Sequence, residues 1–231
     1  MLITLVIIGV VAALTIPNLM QKYQEQATIK KVQKFYSTLS NAYSLALKEN
    51  GTISEWNLIP YTPQGSTDLY NILFKPYFKI AKDCGVNNNG NCIDWENYKY
   101  LNNNSVSYNA QFYKITLEDG SAVWFHIASE TVATETIFKA GVHYDINGIN
   151  KPNQWGKDVF GFRIVNDGIV PLGLPSGKYA LYPFGSTCNT TGSGNNAGTG
   201  FGCAAWVVYK GNMDYLHCDG LKWTSRSCKE K

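Results

Sequence analysis

The chain has 231 residues, of which 16% are charged, and its formal net charge at pH 7 is +3. Even without its first 50 residues, a chain of this length can bury the core of one globular domain. Because so small a net charge implies no large basic face, nucleic acid is not an expected partner.

The first element in chain order is predicted to be a long helix. An uncharged apolar run occupies residues 1–16 and is followed by Pro17. The run is somewhat shorter than the roughly 20 residues that cross a bilayer as a helix, and a proline kink is tolerated in membrane helices. Residues 1–20 are therefore predicted to be transmembrane, as the first third of this helix.

The helical pattern continues beyond the proline. From Ile29 to Ala46, apolar residues recur about every 3.5 positions, which is the pattern of an amphipathic helix. Lys48 in the last turn and Gly51 just beyond it are typical of a helix C-terminus. Residues 21–50 are therefore predicted to continue the same helix and to bury one face against a partner surface.

The stretch GVVAALTIPNL, residues 9–19, resembles the N-terminal helix of type IV pilins and type II secretion pseudopilins. The resemblance implies a pilin-like fold and a structural subunit that packs this helix against other pilin or pseudopilin subunits. In this family a basic leader, a cleavage-site glycine, an aromatic residue and a glutamate precede the run, and a prepilin peptidase processes the chain. Aligned on Pro17, the glutamate would lie immediately before Met1. The resemblance assigns assembly to Leu5, Ile8, Gly9, Ala12, Ala13 and Pro17.

Six cysteines lie beyond the helix, and none forms a C-x-x-C pair, so a structural zinc site is not expected. An even count spaced by loop residues is typical of disulfides formed in an oxidising compartment. Exchanges among the last four cysteines are left open. Proximity in the sequence favours the pairs Cys84–Cys92, Cys188–Cys203 and Cys218–Cys228.

The predicted disulfides also bear on the expected location. Four lysines follow the predicted span: Lys22, Lys30, Lys31 and Lys34. The positive-inside rule would place them in the cytoplasm, whereas disulfides require the opposite orientation. We therefore expect residues 51–231 to form an exported globular pilin-like domain. It would be held at the bacterial inner membrane before assembly, and afterwards lie in a filament at the cell envelope or cell surface.

Two hairpins are predicted in the second half of the chain. The β-rich runs 112–117 and 122–127 flank an Asp-Gly turn, and the runs 159–165 and 169–170 flank Asn-Asp-Gly. Another strand is predicted at residues 136–144. The fold class is therefore α+β, with a long N-terminal helix packed against an antiparallel sheet of about four strands, and a loop-rich, disulfide-bonded C-terminal region.

Two other regions have weaker patterns. Residues 52–104 are predicted to be loop-rich, apart from a short helix around residues 67–79. Residues 204–209 are predicted to form a short helix or a strand.

Oxygen-bearing side chains cluster in residues 145–158, DINGINKPNQWGKD. Calcium takes six to eight oxygen ligands, and the stretch is loosely similar to calcium loops of major pseudopilins, although it is not an EF-hand. The alternative is a tight connection between strands in which Asp and Asn side chains cap their own backbone. No cofactor other than calcium is predicted. The five predicted ligands are Asp145, Asn147, Asn153 and Asp158 through their side chains and Ile149 through its carbonyl.

No catalytic constellation is found in the sequence. It has no H-E-x-x-H zinc motif and no G-x-S-x-G nucleophile elbow, and core or surface roles are expected for His126, His143 and His217. We therefore expect a structural protein and not an enzyme: a subunit of a type IV pilus or of a type II secretion pseudopilus. The alternative is a membrane-anchored, lectin-like binding module. It would use C-terminal aromatic residues: Trp155, Trp206, Tyr209, Tyr215 and Trp223.

Overall fold

In the computed structural model, the chain begins with one continuous helix, α1 (Leu2–Asn50), which contains Pro17. The structure describes residues 2–86, 91–106, 112–128, 138–191 and 199–230, with the backbone alone at residues 2–7 and 95. At 1.5 Å per residue, α1 is about 73 Å long. Gly51, at φ 76°, takes the left-handed conformation that ends many helices. The predicted long helix is confirmed.

The prediction that residues 1–20 form a transmembrane segment is wrong. Within the described residues, no helix combines the length and the apolar character that a membrane span requires. A span needs about 20 apolar residues, and here Asn18, Gln21 and Lys22 follow the apolar residues too soon. The inner-membrane location that was expected from this segment is therefore wrong as well.

One face of α1 is buried from Thr28 onward. Most of its buried apolar side chains are three or four residues apart, as an amphipathic helix requires. They are Ile29, Val32, Phe35, Leu39, Ala42, Tyr43 and Ala46. This face lies against the β-sheet, where the ring of Phe35 stacks on that of Tyr144 with centroids 4.0 Å apart. The sheet thus supplies the partner surface for this half of the helix.

Short helical segments follow α1. A 3₁₀ turn spans Ile53–Trp56, and α2 (Pro63–Leu69) runs directly into a π-helical segment, Tyr70–Phe74. The hydroxyl of Thr62 accepts a backbone hydrogen bond and caps the start of α2. The helix predicted around residues 67–79 therefore begins and ends earlier than its apolar spacing indicated.

Among the described residues, six strands form one antiparallel sheet, and each strand pairs with its neighbour in the sequence. They are β1 (Ile80–Gly85), β2 (Tyr113–Leu117), β3 (Ala122–Ile127), β4 (Phe138–Asp145), β5 (Val159–Val165) and β6 (Gly168–Pro171). The two predicted hairpins are β2–β3 and β5–β6. The strand predicted at residues 136–144 corresponds to β4, and its first two residues lie outside the described part of the chain.

The prediction of about four strands is wrong, because the sheet has six. The individual runs predicted above correspond to five of these strands, and the sixth, β1, lies in the stretch expected to be loop-rich. Its sequence, IAKDCG, does not alternate between apolar and polar residues, and two register shifts interrupt its pairing with β2. Such a strand is specified by its neighbour and not by its own pattern.

The two faces of the sheet carry separate apolar cores, because alternate residues of a strand point to opposite sides. On the face toward α1, Val123 and Phe125 of β3 belong to the larger core. On the opposite face, Trp124 of the same strand packs in a smaller core with Trp155 and Phe201. We call this second face the outer face.

The C-terminal region has little regular structure and is held by disulfides. In the part that the structure describes, its short helices are α3 (Phe184–Thr187) and α4 (Ala204–Lys210), the latter covering residues that were predicted as a helix or a strand. Further 3₁₀ turns lie at Trp95–Asn97, Phe201–Cys203, Asp214–Leu216 and Cys228–Glu230. Disulfides join Cys84 to Cys92, Cys188 to Cys203 and Cys218 to Cys228, which confirms the pairing that sequence proximity favoured.

Candidate functional site

The N-terminal part of α1 exposes apolar side chains to solvent. Ile8, Leu14 and Leu19 are 66%, 68% and 69% exposed. Among the described residues of α1, the first buried one is Thr28, so the preceding turns lie outside the core. We call residues 8–20 the apolar segment. Exposed apolar surface of this extent marks an interaction surface.

The apolar segment is apolar on every side. Each residue of an α-helix is rotated by about 100° from the one before it, so the large side chains of this segment point in all directions around the axis. They are Ile8, Val10, Val11, Leu14, Ile16, Leu19 and Met20, and more than half of each is exposed. A helix that is apolar all round is suited to being surrounded, and not to docking one face on a flat surface.

The polar side chains of the apolar segment are bonded within the helix. The hydroxyl of Thr15 donates to the carbonyl of Val11 (2.8 Å), and the amide nitrogen of Asn18 donates to the carbonyl of Leu14 (3.2 Å). A buried polar group is costly mainly when its hydrogen bonds are unmade. These two side chains therefore add little to the cost of burying the segment.

Five of the six residues that the resemblance assigns to assembly lie in the apolar segment. Ile8, Gly9, Ala13 and Pro17 are exposed, and Ala12 is partly exposed. A Cβ added to Gly9 would have no heavy atom within 4 Å. The sixth residue, Leu5, precedes the segment, and its side chain lies outside the described part of the structure.

The helix enters the domain beside a polar contact with the C-terminal region. The carboxylate of Glu25 lies 2.8 Å from Nε2 of His217, and Gln21 donates to the same carboxylate oxygen (3.1 Å). Six residues later, the ammonium of Lys31 donates to the carbonyl of Ile146 (2.9 Å). The sequence offered no signal for the contacts of His217 and Lys31, because their partners lie more than 100 positions away. They hold the start of the buried half of α1 against the domain.

The five predicted calcium ligands lie in one connection, between β4 and β5, but in different environments. Asp145, Asn153 and Asp158 are buried, with exposures of 0%, 0% and 3%. Asn147 is partly exposed, and Ile149 at the tip is 49% exposed. The three buried side chains therefore lie at the base of the connection and not at its tip.

The buried carboxylates already accept hydrogen bonds from the protein. Asp145 accepts from the hydroxyl of Tyr98 (2.6 Å) and from the backbone N–H of Asn147 (3.1 Å). Asp158 accepts from the backbone N–H groups of Asn153 (2.8 Å) and Gln154 (2.6 Å). Each carboxylate oxygen thus has a donor, as in the alternative in which Asp caps its own backbone.

The pKa values of Asp145 and Asp158 also favour the alternative in which these side chains cap their own backbone. Burial, with a smaller contribution from the nearby carboxylate of Asp158, raises the pKa of Asp145 to about 8. Burial also raises the pKa of Asp158, to about 6. Asp145 therefore holds a proton at neutral pH, whereas a calcium ligand must be ionised. Within the described residues, no three His, Cys, Asp or Glu side chains are grouped so as to hold a metal ion. Calcium binding by this connection stays a prediction.

The aromatic residues of the alternative binding module do not form an exposed platform. Trp155 and Trp206 are 0% exposed and Tyr215 is 4% exposed. Only Tyr209, at 53%, presents most of its ring to solvent, while Trp223 is partly buried. Most of this set therefore fills the domain interior.

Two histidines lie side by side on the outer face. The rings of His126 and His143 have centroids 5.8 Å apart. Burial, with a smaller contribution from the guanidinium of Arg163 in each case, lowers the pKa of His126 to about 3 and that of His143 well below its usual range. Both rings are therefore neutral at physiological pH and belong to the packing of this face.

A protein family whose function is unknown matches most of the chain. No curated protein and no solved structure matches the chain. Residues 18–209 match the model of a family of unknown function, DUF6613. Because the match covers most of the chain, the protein belongs to the family of unknown function DUF6613.

Proposed function

We propose that the protein is a structural subunit of a filament of the type IV pilus or type II secretion pseudopilus kind, and that it assembles through the apolar segment of α1. The observation that supports this proposal is the exposure of large apolar side chains on all sides of residues 8–20. Full burial of one such side chain contributes about 1.5–3 kcal/mol. The free energy gained by burying the segment is therefore largest when several helices surround it.

In this proposal the activity is association and not a reaction. Residues 8–20 extend about 18 Å along the helix axis, and the buried half of α1 keeps the domain at the far end. The apolar segments of several copies would form a shared core, with the domains arranged outside it. Gly9, Ala12 and Ala13, which carry small side chains or none, would allow neighbouring helix backbones to approach closely.

The test is a charge placed in the apolar segment. Val11→Asp should abolish filaments in electron micrographs, because an unpaired carboxylate cannot be buried among apolar helices. Val11 is 54% exposed, so the melting temperature of the domain should not change. The matched control is Val11→Leu, which keeps the surface apolar and should still assemble. Normal filaments from Val11→Asp would refute the proposal.

A further inference from the structure

A large cleft among the described residues lies between α1 and the turn of the β2–β3 hairpin. Its volume is about 590 Å³, which is within the range of roughly 300–1,000 Å³ typical of small-molecule sites. It lies on the buried half of α1, away from the apolar segment. The proposed filament function does not use it.

The floor of the cleft is apolar and aromatic. Phe35 of α1 and Tyr144 of β4 are stacked, with centroids 4.0 Å apart and planes 2° apart. Phe78 lies 6.0 Å from Phe35, and Leu117 of β2 completes the floor. Such a surface fits an aromatic or aliphatic side chain of a ligand.

The two walls carry opposite charge. Lys31 and Lys34, one turn apart on α1, form one wall. Glu118 and Asp119, in the β2–β3 turn, form the other, where Lys79 partly offsets their charge. Asp119 and Tyr144 line the same cleft, and after burial the negative charge of Asp119 is the largest contribution that raises the pKa of Tyr144.

These charges do not neutralise one another across the cleft. Among the described residues, no ion pair joins either lysine of the α1 wall to Glu118 or Asp119. Lys31 donates to a backbone carbonyl, and Asp119 accepts from its neighbour Ser121. The side chains of Lys34 and Glu118 are both exposed at the rim.

We propose that this cleft binds a short zwitterionic peptide with an apolar side chain. The carboxylate of the peptide binds at the wall of Lys31 and Lys34, and its ammonium group binds at the wall of Glu118 and Asp119. The apolar side chain packs on Phe78 and Leu117, which are the partly exposed side chains of a floor whose Phe35 and Tyr144 rings are almost fully buried. A purely anionic ligand would be repelled by the acidic turn, and a purely cationic one by the lysines.

The probe is the dipeptide phenylalanyl-leucine, measured by equilibrium dialysis against the full-length protein. We expect a Kd on the order of 1 mM or tighter. Two capped forms are the ligand controls: the N-acetyl dipeptide lacks the ammonium group, and the dipeptide amide lacks the carboxylate. Each should bind about fivefold more weakly, since one exposed charge pair contributes up to about 1 kcal/mol. Equal affinity for the N-acetyl form and the dipeptide would overturn the zwitterionic assignment.

Substitutions in the two walls test which wall binds the carboxylate of the peptide and which binds its ammonium group. Lys34→Gln should weaken binding of the dipeptide about fivefold and leave binding of its amide unchanged, while Glu118→Gln should leave binding of the N-acetyl form unchanged. Lys48→Gln and Glu96→Gln, at exposed positions outside the cleft, are the matched controls and should bind like the unaltered protein. If the wall variants bind every ligand like the controls, or if no binding is detected, the proposal is wrong.

Discussion

The hydroxyl of Tyr43 donates a hydrogen bond of 2.8 Å to the backbone carbonyl of Val165, and so joins the C-terminal part of α1 to the end of β5. It also lies 3.3 Å from the carbonyl of Asn166. The Tyr43 side chain is almost fully buried. Burial, with a smaller effect from the charge of Asp167, raises the pKa of Tyr43 to about 12, so the hydroxyl keeps its proton at physiological pH. The bond sets the position of the sheet along the helix.

The first prediction concerns this bond. Tyr43→Phe should lower the free energy of unfolding by about 1–3 kcal/mol, because it leaves a buried carbonyl without its donor. Urea denaturation measures the change. The control is Tyr36→Phe, which removes a longer contact of 3.4 Å to the carbonyl of Ile169 at a partly exposed position. Equal losses in the two variants would contradict the role given to Tyr43.

The second prediction is a fall in stability as the pH rises from 6.5 to 8. Burial raises the pKa of Asp145 to about 8 in the folded protein, against an ordinary value of 3.8. In this interval the folded state holds a proton that the unfolded state has released. The free energy of unfolding should therefore fall by up to about 1.4 kcal/mol per pH unit.

Between pH 6.5 and 8, the titration of Asp145 can be distinguished from that of the other buried groups. The pKa of His126 and that of His143 are lowered, so these residues contribute stability that is lost only as the pH falls below about 6.5. Asp158, with a pKa of about 6, also titrates mainly below this interval. Asp145→Asn should remove most of the slope in urea denaturation at pH 6.5, 7.2 and 8. A variant with the original slope would show that another group carries the proton.

The third prediction compares two disulfides. Cys188→Ala with Cys203→Ala should destabilise the domain by about 3 kcal/mol, since the bond closes a loop of 15 residues. Both sulfurs are also buried, so their removal leaves a cavity. Cys218→Ala with Cys228→Ala removes a partly exposed bond with a separation of 10 residues, and should cost less. Thermal unfolding followed by circular dichroism ranks the two, and the reverse order would contradict the prediction.

The fourth prediction concerns calcium and the β4–β5 connection. Because the oxygens of Asp145 and Asp158 already accept internal hydrogen bonds, we expect about 1 mM CaCl₂ to leave the melting temperature unchanged. A clear rise that is reversed by EGTA and absent in Asp158→Asn would establish the metal site instead. Magnesium at the same concentration controls for ionic strength.

The features that could be predicted depend on residues close together in the sequence. The stripe from Ile29 to Ala46 repeats with the period of a helix, and an Asp-Gly turn between two β-rich runs is sufficient to indicate β2–β3. Each disulfide likewise closes a short loop. The apolar run at the N-terminus led to a wrong prediction of a membrane span, because polar residues from Asn18 onward limit its length.

The features that could not be predicted depend on residues far apart. β1 is a strand because β2 lies beside it, and its own residues alternate too little to show this. The pair of Glu25 and His217 joins the two ends of the chain. The peptide cleft combines α1, residues 77–79, the β2–β3 turn and Tyr144, which no local pattern relates to one another.

The position of the first buried residue in α1 has a consequence for how the protein can change. Because the described side chains before Thr28 are outside the core, a substitution in the apolar segment would, in the proposed assembly, alter which copies associate without altering whether the domain folds. Under that proposal, selection or an engineer could adjust the strength of self-association over a wide range at constant stability. Polymerisation and folding would then be separable traits in this chain.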